Sequence, residues 1–238
     1  MTKKINIDNE PDRERAREHM EHLSQFMSDN RLAVLEKVLL ERTDYITVCF
    51  ENIYHAQNAS AVLRSCEAFG IQHIHVIEEL LPFEPNRAIV RGADKWLDIE
   101  RHGEKNATVN LINRLKGEGY RIVATSPHSL GVRPEEFDIS KGKTAIIIGT
   151  EKQGVSQEAL DMADEYVTIP MCGFVESLNL SVCTAIVLNA LTGKMRHNEN
   201  IEWRLKKEDM DRLIYKWTLQ SVKDYERILL KYEREKDE

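Results

Sequence analysis

From Ile46 to Arg196 the hydrophobic period switches back and forth between two and three-to-four residues, and no other feature constrains the fold so tightly. Strand-like runs occur at "ITVCF" (46 to 50), "HIHVIE", "YRIVATS", "KTAIIIG" and the shorter "EYVTIPM", with "KWLDIE" (95 to 100) a possible further strand. Between them lie the helix-like stretches "NASAVLRSCEAFG", "TVNLINRLKGEG", "SQEALDMAD" and "SLNLSVCTAIVLNALTGKMR". A chain that alternates in this way is accommodated by a parallel sheet with helices on both faces. The expected class is therefore α/β.

The two ends read differently. From Asp12 to about Arg42 the pattern is helical, with Leu32, Leu35, Val38 and Leu39 at helical spacing. Beyond Arg196, "MDRLIYKWTLQSVKDYERILLKY" sets Met210, Leu213, Ile214, Trp217, Tyr225, Ile228, Leu229 and Tyr232 along one helical face. The expected organisation is an N-terminal helical extension (1–44), an α/β core (45–196) and a C-terminal helical extension (197–238). Residues 1 to 44 carry 8 Lys/Arg against 10 Asp/Glu, and residues 194 to 238 carry 12 against 11, within a net charge of -7. Neither end is a basic tail. Because phosphate contacts dominate nucleic-acid affinity, any such surface must be assembled by folding or shared between subunits.

At 238 residues and 42% hydrophobic composition the chain can bury a substantial core. No apolar run approaches the roughly 18 residues of a membrane span, so a protein that does not cross a membrane is expected. Cys49, Cys66, Cys172 and Cys183 are far apart and each sits in an apolar stretch, which predicts buried thiols in a reduced cytoplasm. His73 and His75 alternate onto one strand face, but no other ligand cluster accompanies them, so no metal is expected.

Three loops carry candidate chemistry. In "ENIYHAQNASAVLRSCEAFG", Asn58 is placed to cap a helix that Gly70 ends, with Val62, Cys66 and Phe69 inward and Ser60, Arg64 and Glu67 on the other face. In "TAIIIGTEKQGVS" an apolar strand feeds Gly149, and Gly154 follows at P-loop spacing. Val155, however, stands where a P-loop needs lysine, and Glu151 would repel a polyphosphate, which excludes a nucleoside triphosphate. Ser156 there is equally a plain helix cap. In "IPMCGFVESLNLSVCTAIVLNAL" an irregular loop delivers Ser177 and Asn179 to a helix N-terminus, whose free N–H groups suit either capping or polar ligand atoms.

In that order and spacing, Asn58 with Arg64, "GTEKQGVS" and "IPMCGFVESLNLSVCTA" closely resemble the three motifs of the SPOUT superfamily, in its SpoU/TrmH branch of RNA ribose 2'-O-methyltransferases. The resemblance covers about residues 30 to 196. The stretch "RLAVLEKVLLERTDYITVCFEN" is further similar to the entry of the tRNA guanosine-18 2'-O-methyltransferases. The resemblance implies a parallel sheet with a deep C-terminal trefoil knot, a topology that ordinary connectivity rules make exceptional. It implies S-adenosylmethionine held by Gly149, Gly154 and Thr125 between Ile169 and Leu178. It implies catalytic roles for Arg64, Asn58, Glu151, Ser177 and Asn179, with Arg64 activating the ribose hydroxyl. Because arginine stays protonated, the expected form of that role is to bind the adjacent RNA phosphate and fix the hydroxyl. It also implies a homodimer with RNA as partner, tRNA foremost. The apolar girth of the helix after Asn179 (Val182, Ala185, Ile186, Leu188, Ala190) fits such an interface. Ribosomal RNA, another tRNA position, or a non-catalytic RNA-binding relative are the alternatives.

Overall fold

The structure is a computed structural model that describes residues 13–80, 82–126, 131–150 and 153–237. The chain divides into two compact units. One is Thr43–Arg204; the other joins the segment ending at Arg42 to the segment beginning at Leu205.

In the second of these units, α1 (Arg13–Ser24) and α2 (Asp29–Leu39) precede the sheet in sequence. The helical stretch expected from Asp12 to about Arg42 is made of these two helices. Ser28 starts the second, its hydroxyl accepting from the Arg31 amide, as an N-cap serine does.

The larger unit follows the alternation. Its elements are β1 (Ile46–Glu51), α3 (Ala56–Ala68), β2 (His73–Ile77), the single-turn α4 (Arg87–Val90) and β3 (Asp98–His102). Then come α5 (Ala107–Gly117), β4 (Arg121–Thr125), β5 (Thr144–Ile148), α6 (Gln157–Met162), β6 (Glu165–Val167) and α7 (Leu180–His197). The strands form one sheet in the order β3-β2-β1-β5-β4-β6, and every pair is parallel. β3 starts three residues later than "KWLDIE" suggested, because Ala93–Trp96 closes into a 3-10 turn.

Alternation along β5 shows how the core is split. Ala145 and Ile147 pack with Leu111, Ile112 and Leu115 of α5 and Ala159 of α6. Ile146 and Ile148 pack on the opposite face with Val62, Leu63 and Cys66 of α3 and Val187, Leu188 and Leu191 of α7. The near-continuous apolar strands follow from burial on both faces.

The chain ends complete the smaller unit with α8 (Lys207–Ser221) and α9 (Tyr225–Asp237). The C-terminal stripe is broken at Asp224, whose φ is 57°. Leu23, Tyr215, Leu219 and Leu229 share one cluster, and His19 of α1 bonds both Tyr215 Oη (3.0 Å) and Glu233 (2.6 Å). The sequence pattern separates the two extensions; folding joins them, since neither segment can cover its apolar stripe alone. Among the described residues no helix is long and apolar enough to cross a membrane.

Candidate active site

Strands of a parallel sheet release their loops at one edge, and ligands bind outside those carboxyl ends. Here the ends of β4 and β5 and the segment leading to α7 enclose a cavity of about 380 Å³, within the usual range for a small-molecule site. Thr125, Gly149, Gly154, Ile169 and Leu178, all singled out from sequence as cofactor contacts, line it. So does Ser177. Two loops some twenty residues apart in sequence thus meet around one space.

The geometry of the β5 loop refines the reading of its glycines. A Cβ on Gly149 would lie 1.9 Å from the Gly154 carbonyl oxygen. The missing side chain therefore lets the loop close on its own backbone, through Thr150 N to Gly154 O (2.9 Å) and Gly154 N to Thr150 O (3.0 Å). Gly154 has a φ of +71° with open space around its Cβ position, so it supplies the left-handed turn that L-residues resist. Ser156 caps α6 through the Ala159 amide, as expected. Glu151, placed in this loop by sequence, lies outside the described residues.

Behind the loop stands a residue that sequence reasoning passed over. Glu51 closes β1 and is only 2% exposed. Its carboxylate accepts from Thr108 Oγ1 (2.6 Å), Ser156 N (2.8 Å) and Ser156 Oγ (2.7 Å). Three donors are what a buried carboxylate requires, and they tie the end of the β5 loop to β1 and α5. The signal was available: an acid ending the otherwise apolar "ITVCFE". Glu176, next to Ser177, also faces the cavity and was likewise missed.

Asn58 and Asn179 meet, the Asn179 amide donating to the Asn58 carbonyl at 3.2 Å. The same Asn179 caps α7 by accepting from the Ser181 amide. Asn58 itself is not a cap: His55 occupies that position without a side-chain bond, and Asn58 lies in the first turn, free to reach across to α7. Gly70 does end α3, with φ 78°. Ser60, expected on the open face, is buried, because its hydroxyl donates to Ala56 O (2.6 Å) and accepts from Asn86 N (2.7 Å). Arg64 is exposed and stands about 9 Å further along the helix than Asn58, at 1.5 Å per residue. It lines a separate hollow with Ile89 and Arg91, so the described chain does not bring it into the cavity.

Two expectations about the thiols and histidines change. Cys49 and Cys66 are buried, and burial pushes both thiols up, but Cys172 is exposed on the loop before Ser177 and Cys183 is half-buried. Cys183 lines the cavity, and burial raises its pKa to about 11, which leaves it a protonated, apolar wall. His75 gains company from β3: ligand atoms of His75, Glu100 and His102 lie within 4.8 Å of one another. The two rings approach at 3.3 Å, while Arg114 donates to both oxygens of Glu100 at 2.6 and 2.8 Å. The guanidinium already supplies the positive charge this group would ask of a cation.

Comparison with known proteins matches residues 45–189 to the SpoU rRNA Methylase family. The chain belongs to that family. It is 40% identical over 204 residues to the tRNA (guanosine(18)-2'-O)-methyltransferase of Borreliella burgdorferi, covering 86% of this chain and 91% of the relative. The enzyme of the same description from Escherichia coli K12 is 33% identical over 162 residues, 68% of this chain and 69% of that one. Among solved structures, the Aquifex aeolicus TrmH/SpoU tRNA modifying enzyme superposes with a TM-score of 0.72 at 30% identity, over 82% of this chain and 98% of that chain. This SpoU-family RNA methylase therefore shares its fold with the Aquifex aeolicus enzyme, and the likeness extends beyond the family segment.

Proposed function

We propose that this RNA methylase transfers the methyl group of S-adenosylmethionine to the ribose 2'-hydroxyl of guanosine 18 in tRNA. The observation that carries the reading is the cavity itself, built from the loops after β4 and β5 and the segment before α7, in a chain whose relatives bear that activity in their names. Its donor set fits the cofactor. Ile169 and Leu178 offer apolar walls, Gly154 leaves open space against the loop backbone, and among the described residues no lysine or arginine lines the cavity. When bound, S-adenosylmethionine supplies an electrophilic methyl group on a sulfonium sulfur. Thr125, Gly149, Gly154, Ile169 and Leu178 would hold it, with Glu151, Ser177 and Asn179 shaping the reacting end.

A ribose hydroxyl is a poor nucleophile until its proton is shared. Arginine stays protonated, so Arg64 acts by gripping the adjacent RNA phosphate and fixing the hydroxyl, and a phosphate oxygen or bound water takes the proton. Asn58, tied to Asn179, holds the start of α3 against the cavity's third loop. Positioning of this kind supplies much of the rate gain.

Because Arg64 lies outside the cavity of its own chain, the reading includes a homodimer in which Arg64 of the partner subunit completes each site. What supports it is a hollow of about 630 Å³ between α3 and α7, lined by Ala61, Phe69, Val182, Ala185, Ile186 and Ala190, with Val182 46% exposed. A two-fold dimer is the commonest cover for such a wall. The reading also includes the deep trefoil knot. Its support is that Tyr166 to Thr168 run between β4 and Val132, bonded to Ser126 on one side and Val132 on the other; these flank the loop that follows β4. The helical extensions, 1–44 and 197–238, then serve as the RNA platform, and 45–196 is the methyltransferase core. The test is transfer of tritiated methyl from S-adenosylmethionine to an unmodified tRNA transcript, followed by digestion to nucleosides. Label in 2'-O-methylguanosine is expected; label in a base, or none, would refute the reading.

A further inference from the structure

Arg91 sits in a conformation that its side chain does not favour. It ends the single-turn α4 with φ 51° and ψ 33°, in the left-handed region, which is uncommon for a residue other than glycine, asparagine or aspartate. Gly92, which follows, also has a positive φ of 78°. An arginine at such a position, with a glycine next to it in sequence, is an outlier of the kind that accumulates at functional sites.

Its surroundings say what the side chain is for. Arg91 lines the same hollow as Arg64, about 540 Å³ in volume, with Trp96 and Glu67 also on its wall. Both arginines are exposed, and the Arg64 guanidinium donates to the Ile89 carbonyl at 3.4 Å. The hollow shares Ala61, Ser65 and Phe69 with the apolar wall between α3 and α7. Two guanidinium groups on one concave surface, at the rim of the proposed dimer contact, face whatever enters beside the reacting ribose. The net charge of -7 leaves this local pair to do what the whole chain cannot.

We propose that Arg91 is a second phosphate-binding residue, which grips the RNA backbone next to the phosphate held by Arg64 and sets the register of the strand entering the site. The proposal rests on the RNA methylase reading and adds a residue that reading does not include. It also accounts for the backbone strain: the left-handed turn aims the side chain into the hollow.

The conformation provides a clean test, because glycine fits φ 51° better than arginine does. Arg91→Gly removes the guanidinium without disturbing the fold, and Arg91→Lys keeps the charge but loses the planar fork. Binding of an unmodified tRNA transcript is measured across a salt series, with S-adenosylmethionine binding and the melting temperature as controls. For Arg91→Gly, RNA affinity should fall about five- to tenfold at 0.1 M salt, and the log–log salt slope should shrink by roughly 0.7 to 0.9. Cofactor affinity should not change, and the melting temperature should hold or rise. Arg91→Lys should keep most of the slope. A wild-type slope in Arg91→Gly, or a loss that tracks a lowered melting temperature, would overturn the inference. Failure of the unsubstituted protein to bind the transcript at all would overturn the RNA reading beneath it, and this inference with it.

Discussion

Replacing Gly149 with alanine adds one methyl group where no room exists. The new Cβ would stand 1.9 Å from the Gly154 carbonyl oxygen, 2.1 Å from its carbon and 2.3 Å from the Val155 nitrogen. All three are backbone atoms, so nothing can swing aside as a flexible side chain would. The loop must open by more than 1 Å, roughly the shortfall from ordinary carbon contact distances, and the paired bonds between Thr150 and Gly154 go with it. Two backbone bonds at about 1 kcal/mol each set a floor of about 2 kcal/mol, or roughly 30-fold in affinity, for a ligand that needs this wall in place. Titration calorimetry at 25 °C should therefore show S-adenosylmethionine binding weakened at least 30-fold in Gly149→Ala. Gly193→Ala, on α7 with nothing within 4 Å of its Cβ position, is the control and should bind normally. A Gly149→Ala protein with affinity within threefold of wild type and an unchanged melting temperature would refute the argument that this loop must close to form the cavity.

Arg64→Ala should leave cofactor binding intact, because Arg64 is absent from the cavity wall, and lower methyl transfer to tRNA by about 100-fold or more, an order set by the loss of a positioning group; single-turnover kinetics near the wild-type rate would remove Arg64 from the mechanism. Ile186→Asp puts a charge on the half-buried face of α7, so sedimentation equilibrium should find a folded, inactive monomer, whereas a dimer of normal activity would place the interface elsewhere. Burial holds the His75 pKa down to about 4, against the ordinary 6.5. The unfolded chain thus binds more protons between those values, and stability is complete above pH 6.5 and declines as pH falls toward 4, by at most about 3 kcal/mol. Urea melts of wild type and His75→Phe at pH 7 and pH 5 should show the wild type losing more; equal losses would mean His75 is not the group responsible.

How much of this was legible beforehand depends on range. The periodicity from Ile46 to His197 displays the sheet and its covering helices, because each element's burial pattern is written in its own residues. The cavity loops were legible through resemblance to a family rather than through spacing, since Gly149 and Gly154 alone also describe an ordinary strand–turn–helix. What stayed hidden were long-range pairings. Nothing near Asn58 announces that it bonds Asn179, 121 residues away, and nothing near Glu51 announces Ser156, 105 residues away. Misplacing the cap at Asn58 instead of His55 has the same origin: an asparagine satisfies the local rule for a cap, but here its amide is held by a tertiary partner. Cys172 was expected to be buried on local hydrophobicity, and the loop that carries it projects outward, with Phe174 fully exposed beside it. The single-turn α4, which Arg91 ends, is too short to generate any period.

The central claim is that the reacting atom is one hydroxyl oxygen, on the ribose of guanosine 18. Two tRNA transcripts, identical except that one carries a 2'-deoxyribose at that position, can be incubated with the protein and tritiated S-adenosylmethionine under the same conditions. The ribose transcript should take up one methyl group per molecule, and the deoxy transcript should take up none while still binding. Equal labelling of both transcripts would contradict the account.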